Sequence, residues 1–332
     1  LFSFLFGYSF TIQLDSAARK GVPFGRRFGR RLIGLAVLGL AHGLLFFSGD
    51  ILMIYALAGC VLFLVRNWSP GRALVVAGGL LLLTSLIWVF LASGAIQDPD
   101  SFRADPASLT RQAEELKAGY TSSDPGEVLD TRAGDLAETF LLLLLIQGPS
   151  ALAMFLVGLA AGKTRALHRP ELFEALWRRM LFTGLLAGVP AAAFYAWSQN
   201  GPPTDPAREL FGLSADVLFA PALAGAYLAA FVMARDTRPG SWLIERLAPA
   251  GRIALTNYLF QSIALSLIFT GYGLALIGRV SPGVAVLIAI GVFLVQTAIS
   301  AIWLKRHRYG PAEWILRAFT NWSWPAWRAT GR

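Results

Sequence analysis

Histidine, cysteine and charge are all scarce in this chain. Of its 332 residues three are histidines and one is a cysteine, Cys60, which lies inside an apolar run. A lone cysteine excludes a disulfide framework and a cysteine-ligated metal centre, and three histidines make a His-based metal site a poor expectation. Charged residues make up only 15%, where a soluble protein carries about 25%. No phosphate-binding Walker loop, GxSxG elbow, HExxH pair or dinucleotide-binding fingerprint occurs. No methionine opens the chain, no signal peptide precedes it, and Leu1 already sits in an apolar segment. The expectation is a chain truncated at its N-terminus.

Apolar residues fill the space that charge leaves. They account for 55% of the chain, the mean hydropathy is +0.56, and several uninterrupted apolar runs approach the ~20 residues that cross a bilayer. The predicted fold is all-α, a polytopic transmembrane helical bundle forming a single membrane domain over residues 1–332. Nine spans are expected, at residues 1–14, 32–47, 51–65, 73–95, 139–162, 180–198, 217–233, 253–277 and 282–304. Alternating sides from the second of these places 23 of the 29 Lys/Arg residues on one face and 14 of the 20 Asp/Glu residues on the other. By the positive-inside rule the basic face is cytoplasmic. Leu1 then starts outside, so a cytoplasmic N-terminus requires an odd number of lost spans, and the intact protein is expected to have about ten.

Three segments stand apart from the spans. Residues 96–138 form an acidic extracytoplasmic loop with ten acids against four bases, within which 108–119 has a helical pattern opened by a serine cap. Residues 199–214 are a second, proline-rich outer loop. Residues 305–332 form a basic and aromatic cytoplasmic tail whose Trp314, Trp322, Trp324 and Trp327 suit the headgroup region. The net charge of +9 does not point to nucleic acid, because the bases sit in short clusters between spans and no basic groove with interleaved aromatics is present. The expected partner is the lipid bilayer.

The organising stretch is residues 26–57. Arginines lead into an apolar run that contains His42, Ser48, Gly49 and Asp50 break it, and a second run follows. His42 precedes Asp50 by eight residues, about 12 Å along a helix and close to the same face. A neutral imidazole there could act as general base on a hydroxyl acceptor, with the carboxylate holding its tautomer. Alternatively, His42 could bridge helices and Asp50 could cap the helix that follows. Asn257, Tyr258, Gln261 and Ser262 form a second polar cluster, with Asn257 and Gln261 on one helix face. It can bind a ligand or tie helices together. Gln147, Gln296 and Ser300 are weaker members of the same inventory, and Gln13 is read as interfacial. Arg26, Arg27, Arg30 and Arg31 could attract a phosphorylated donor such as coenzyme A, or simply anchor the span.

The stretches LFSFLFGYSF, RRLIGLAVLGLAHGLLFFSGDILMIYALAG, MFLVGLAAGK, GRIALTNYLFQS and GPAEWILRAFT together resemble the YeiB-like bacterial inner-membrane family, a domain of unknown function (number 418). The residues that carry the resemblance are His42, Gly49, Asp50, Tyr55, Asn257, Tyr258, Gln261, Ser262, Gly310, Pro311, Glu313 and Trp314. In the family pattern an LD-x-LRG-type stretch lies on an earlier helix that this chain lacks. The family is distantly similar to membrane acyltransferases of the heparan glucosaminide N-acetyltransferase type. That similarity implies a bacterial inner-membrane acyltransferase-like protein with no bound cofactor. It would take an acyl group from a cytoplasmic acyl-CoA-type donor and pass it to a cell-envelope acceptor outside. Under this reading His42 and Asp50 are catalytic, Asn257, Tyr258, Gln261 and Ser262 bind substrate, and Arg26, Arg27, Arg30 and Arg31 bind the donor. A metabolite transporter and a non-catalytic scaffold are the alternatives. The enzyme reading requires His42 and the Asn257 cluster to converge on one cavity reachable from both sides.

Overall fold

The structure is a computed structural model describing residues 1–102, 105–200 and 205–328. Parts of the acidic segment (103–104), of the proline-rich segment (201–204) and of the tail (329–332) lie outside the described residues. The chain is almost entirely helical. Its helices are α1 (Phe2–Arg19), α2 (Phe24–Leu45), α3 (Leu52–Leu64), α4 (Pro70–Gln97), the single turn α5 (Pro99–Phe102), α6 (Pro106–Thr121), α7 (Pro125–Lys163), α8 (Glu174–Gln199), α9 (Pro206–Ala234), α10 (Arg238–Arg252), α11 (Ala254–Phe269), α12 (Pro282–Trp303) and α13 (Pro311–Asn321), with a 3₁₀ turn at Pro170–Phe173. Among the described residues the only β pairing is an isolated bridge between His307 and Arg328.

Each expected span has its helix, but fewer of these helices reach membrane length than expected. Six are long and apolar enough to cross a bilayer: α2, α4, α7, α8 with its 3₁₀ turn, α9 and α12. Counting the bent pair α10–α11 as one gives seven. The difference from nine has two physical sources. Helix α1 carries Asp15 and Arg19 in its last turns, and α3 has only 13 residues, about 20 Å of rise. The acidic segment is not an open loop: it folds into α5, α6 and the first turns of α7. The helix read over 108–119 starts earlier, at Pro106 after Asp105, so Ser108 lies inside it and its hydroxyl donates to the Asp105 carbonyl at 2.7 Å instead of capping. Ser69 and Ser281 accept from the N–H groups of Arg72 and Val284, each followed by a proline at the first helical position.

The spans are built inside-out relative to a soluble protein. In α4 the buried positions are Ala73, Ala77, Thr84, Ser85, Ala92 and Ala95, while Val75, Leu83 and Phe90 are 58–76% exposed. So many large apolar side chains facing outward are tolerable only in lipid. This is a membrane protein. Small residues occupy the helix contacts because without a hydrophobic drive between helices, close backbone approach provides the attraction.

The chain divides into two compact units. The first consists of Leu1–Phe24, Leu57–Leu109 and Leu144–Thr237. Here α8 packs on α9 and α9 on α4, and Ser85 on α4 hydrogen-bonds Ser214 on α9 at 2.8 Å. Helix α1 crosses the second half of α7 so closely that a Cβ on Gly7 would fall on the Phe155 carbonyl and one on Gly158 on the Phe4 carbonyl. The second unit consists of Gly25–Ala56, Thr110–Leu143 and Arg238–Arg332 and holds every residue assigned a site role from the sequence.

In the second unit α10 and α11 meet at 77°. The bend frees the Ala250 carbonyl, and the Asn257 amide donates to it at 3.1 Å. Helix α11 starts without a side-chain cap of its own. The cap comes from α13: Glu313 accepts from the N–H groups of Leu255 (2.7 Å) and Thr256 (3.1 Å) and from the Thr256 hydroxyl (2.5 Å). Thr256 Oγ1 in turn accepts from the Ala312 N–H at 3.0 Å, so the two helix starts cap each other. After α13 the tail folds back. Trp314 donates to the Pro325 carbonyl at 2.8 Å and Trp327 packs on Trp303 and His307, leaving Trp322 and Trp324 more than 70% exposed.

Candidate functional site

The turn between α2 and α3 sets the site. Helix α2 ends at Leu45, the Phe46 and Phe47 N–H groups close on the His42 carbonyl, and Asp50, five residues after Leu45, stands just before α3. Asp50 Oδ2 accepts from the Met53 N–H at 3.1 Å, which is an N-terminal cap. Its other oxygen points back at α2. Oδ1 meets His42 Nδ1 at 2.9 Å and accepts from the Tyr258 hydroxyl at 3.1 Å. The capping and histidine-holding roles weighed for Asp50 are therefore filled together, one oxygen to each. His42 and Asp50 are each only 2% exposed.

Hydrogen-bond logic orients the imidazole. Asp50 accepts at both oxygens, so Nδ1 of His42 is the donor, and in the neutral ring the lone pair lies on Nε2. Nε2 is buried and has no hydrogen-bond partner among the described residues. A basic nitrogen with its tautomer held by a carboxylate and its lone pair unspent is suited to take a proton from a hydroxyl that enters beside it. Tyr258 lies over the ring at 4.8 Å between centroids, and Phe47 meets it edge-on at 6.3 Å.

Close approach of α2 and α3 depends on Gly39. A Cβ there would stand 2.5 Å from Asp50 Oδ2 and 2.8 Å from the Met53 nitrogen. Gly39→Ala is expected to push the hairpin apart and destabilise the protein by about 1–3 kcal/mol. A thermal midpoint in detergent within error of wild type would show that the hairpin is looser than this geometry.

The other residues singled out from the sequence divide between this site and the scaffold. Tyr258 joins His42 and Asp50. Asn257, one position earlier, faces α12, where its side-chain amide donates to Ser300 Oγ at 3.0 Å and its main-chain carbonyl accepts from Gln296 at 2.8 Å. It ties helices together. Gln261 and Ser262 are half-buried on α11, with the Ser262 hydroxyl reaching the Tyr258 carbonyl at 3.5 Å. Gln147 is exposed and Gln13 donates to the Ser9 carbonyl at 3.1 Å. Of the arginines, Arg26 is exposed, Arg27, Arg30 and Arg31 are half-buried, and Arg30 lies 5.1 Å over the Trp322 ring. Among the described residues no group of three His, Cys, Asp or Glu side chains gathers as a metal site. An open cleft of about 230 Å³ in the first unit, walled by Glu171, Glu174, Trp177, Arg178, Arg235 and Asp236, contains none of the predicted site residues.

Sequence reasoning missed a second polar layer beside the dyad. Arg132 on α7 is 3% exposed. It donates to the Leu45 carbonyl at the end of α2 and to Ser266 Oγ on α11 at 3.0 Å. One turn on, Asp135 accepts from Ser48 at 2.5 Å, Tyr120 at 2.9 Å and Thr139 at 3.1 Å. Burial, and after it the bonded Asp135 carboxylate, holds the Tyr120 phenol above the ordinary tyrosine value, so it remains a neutral donor. The spacing R-x2-D within an otherwise acidic segment was the available signal.

Comparison with known proteins gives a consistent family. Residues 161–323 match the family described as protein of unknown function (DUF418). The chain is 34% identical to the "Uncharacterized protein YxaH" of Bacillus subtilis (strain 168), covering 98% of this chain and 79% of the relative. It is 30% identical to the "Uncharacterized protein YeiB" of Escherichia coli (strain K12), covering 96% and 80%. A 39.9 kDa protein from the amylase 3' region of Bacillus acidopullulyticus is 23% identical over 96% of the chain and 78% of its own length. No solved structure matches. Near-complete coverage at this identity places the chain in the DUF418 family.

Proposed function

We propose that this chain is an acyltransferase-like enzyme of the bacterial inner membrane, with a cytoplasmic C-terminus. It would move an acyl group from an acyl-CoA-type donor to a hydroxyl of a cell-envelope acceptor outside. The observation that carries the reading is the buried His42–Asp50 pair with Nε2 of the imidazole unspent. Nε2 takes the proton of the acceptor hydroxyl while its oxygen attacks the thioester carbonyl. The C–S bond then breaks, and the leaving thiolate receives that proton from Nε2. Ester and free thiol are the products, and the base is restored. Asp50 keeps Nδ1 protonated and steadies the imidazolium that forms. Arg30 stands twelve residues before His42 on the same helix, about 18 Å away along its axis. Donor phosphates paired with Arg26, Arg27, Arg30 and Arg31 would leave the thioester within reach of the imidazole on an extended pantetheine arm.

The test is binding of acetyl-CoA and longer acyl-CoAs to the full-length protein in lipid nanodiscs. Saturable binding is expected, weakened about tenfold or more by Arg30→Ala/Arg31→Ala through lost charge-assisted bonds and unchanged by His42→Gln. No saturable binding by folded protein would remove the donor. A transporter reading has one observation in its favour, the 77° break between α10 and α11, since discontinuous helices frame many transport sites. Against it, α10 carries Arg238, Glu245, Arg246 and Arg252 and is suited to the interface. Uptake of labelled metabolites by proteoliposomes, insensitive to His42→Gln, would favour transport.

A further inference from the structure

We infer that Arg132 and Asp135 are positioning residues that clamp the turn joining His42 to Asp50 and so set the imidazole–carboxylate contact. Their catalytic meaning rests on the acyl-transfer reading, while the clamp itself is geometric. His42 and Asp50 lie on different helices, and their 2.9 Å contact depends on the path of the residues between them. Two points on that path are held by one face of α7. Arg132 grips the last carbonyl of α2, at Leu45, three residues beyond His42. Asp135 accepts from the Ser48 hydroxyl, two residues before Asp50. Residues three apart share a helix face, so a single rigid element fixes both ends of the turn. Leu136 completes the grip by packing where a side chain on Gly43 would otherwise stand.

The same arginine reaches the third member of the site. Its second guanidinium nitrogen bonds Ser266 Oγ, on the helix that carries Tyr258, and Ser266 is bonded to the Tyr272 hydroxyl at 2.6 Å. One planar fork thus spans the helix of the base and the helix that presents the Tyr258 hydroxyl to Asp50, a task for which a lysine's single ammonium is less suited. A cation at the C-terminal end of α2 also opposes the partial negative charge of its last carbonyls. Asp135 is itself anchored by Tyr120, whose carbonyl accepts from the Gly271 N–H at 2.8 Å. The outer α6–α7 segment is on this account a frame for the dyad.

The experiment reads the imidazole directly. The chain contains three histidines, so its ¹⁵N-histidine-labelled form gives a sparse spectrum in which His42→Gln identifies the His42 signals. Wild type is expected to show His42 as one Nδ1-protonated tautomer. In Arg132→Gln and in Ser48→Ala that single species should be replaced by exchange-broadened or mixed-tautomer signals, with Arg132→Lys recovering part of the wild-type spectrum. Circular dichroism checks that each variant keeps its helices. Unchanged His42 signals in folded Arg132→Gln or in Ser48→Ala would overturn the clamp. Should Arg132→Gln fail to fold, Ser48→Ala alone decides. None of these readouts needs acyl transfer, so an inactive wild-type protein would count against the enzyme reading and leave the clamp intact.

Discussion

Asp50→Asn is expected to abolish the basicity of the site while leaving most of the fold. The carboxylate oxygens are both committed, Oδ1 to His42 and Tyr258 and Oδ2 to the Met53 N–H. An amide has one acceptor and one donor end. If its oxygen keeps the Met53 cap, its NH₂ faces His42 and forces Nδ1 to accept, which moves the ring proton to Nε2 and removes the lone pair from the reaction side. If its oxygen keeps His42, two N–H groups confront each other at the start of α3. The first arrangement retains the cap and costs about 1 kcal/mol or less of helix stability. Transfer activity should fall by about 10³–10⁴-fold, the scale seen when a triad carboxylate is replaced and the tautomer reverses. Asp50→Ala loses cap and contact together and is expected to destabilise by about 3 kcal/mol. Comparing turnover and thermal midpoint in the two variants separates the roles. Wild-type turnover in Asp50→Asn would mean that His42 does not act as the base.

The second large effect lies far from the dyad in sequence. Glu313→Ala is expected to lower stability by about 2–4 kcal/mol, because it strips three hydrogen bonds from the start of α11 and removes an anion from a helix N-terminus. Glu313→Gln, with one acceptor oxygen, should lose roughly half as much. Gly310 belongs to the same device, since a Cβ there would run into Glu313 and Thr256. The measurement is the unfolding midpoint in detergent. A Glu313→Ala midpoint equal to wild type would show that α11 does not depend on this cap. Any change in activity should follow stability, because Glu313 touches neither His42 nor Asp50.

These two cases show what was legible in the chain. The clustering of arginines and acids between apolar runs pointed to a membrane protein, but the eight-residue spacing from His42 to Asp50, read as about 12 Å along one helix face, did not reveal that the chain reverses between them and brings them to 2.9 Å. Both signals are local. Tyr258 was included in the predicted cluster, but its partner, 208 positions away, could not be read from spacing. Asn257 and Gln261 share a face, yet tertiary contacts turned the Asn257 side chain towards Ser300 and the Ala250 carbonyl. Glu313 looked like one letter of a motif, and its purpose is visible only where α13 meets α11. Arg132 was obscured by its surroundings: among ten acids a base reads as solvated charge, and only folding buries it against Leu45 and Ser266. Nine spans were read where six helices, or seven with the bent pair, are long and apolar enough to cross, because apolar composition marks α1 and α3 as membrane segments although α1 ends in charge and α3 is short.

The central claim is that His42 transfers the proton in an acyl-transfer reaction, and inverted membrane vesicles test it most directly. Vesicles holding full-length protein and cell-envelope polysaccharide are supplied outside with labelled acetyl-CoA, and label joined to the enclosed acceptor is measured. Transfer by the wild-type protein is predicted, with a loss of at least about 10²-fold in His42→Gln under conditions where acyl-CoA binding is retained. Equal transfer by the His42→Gln protein would contradict the account.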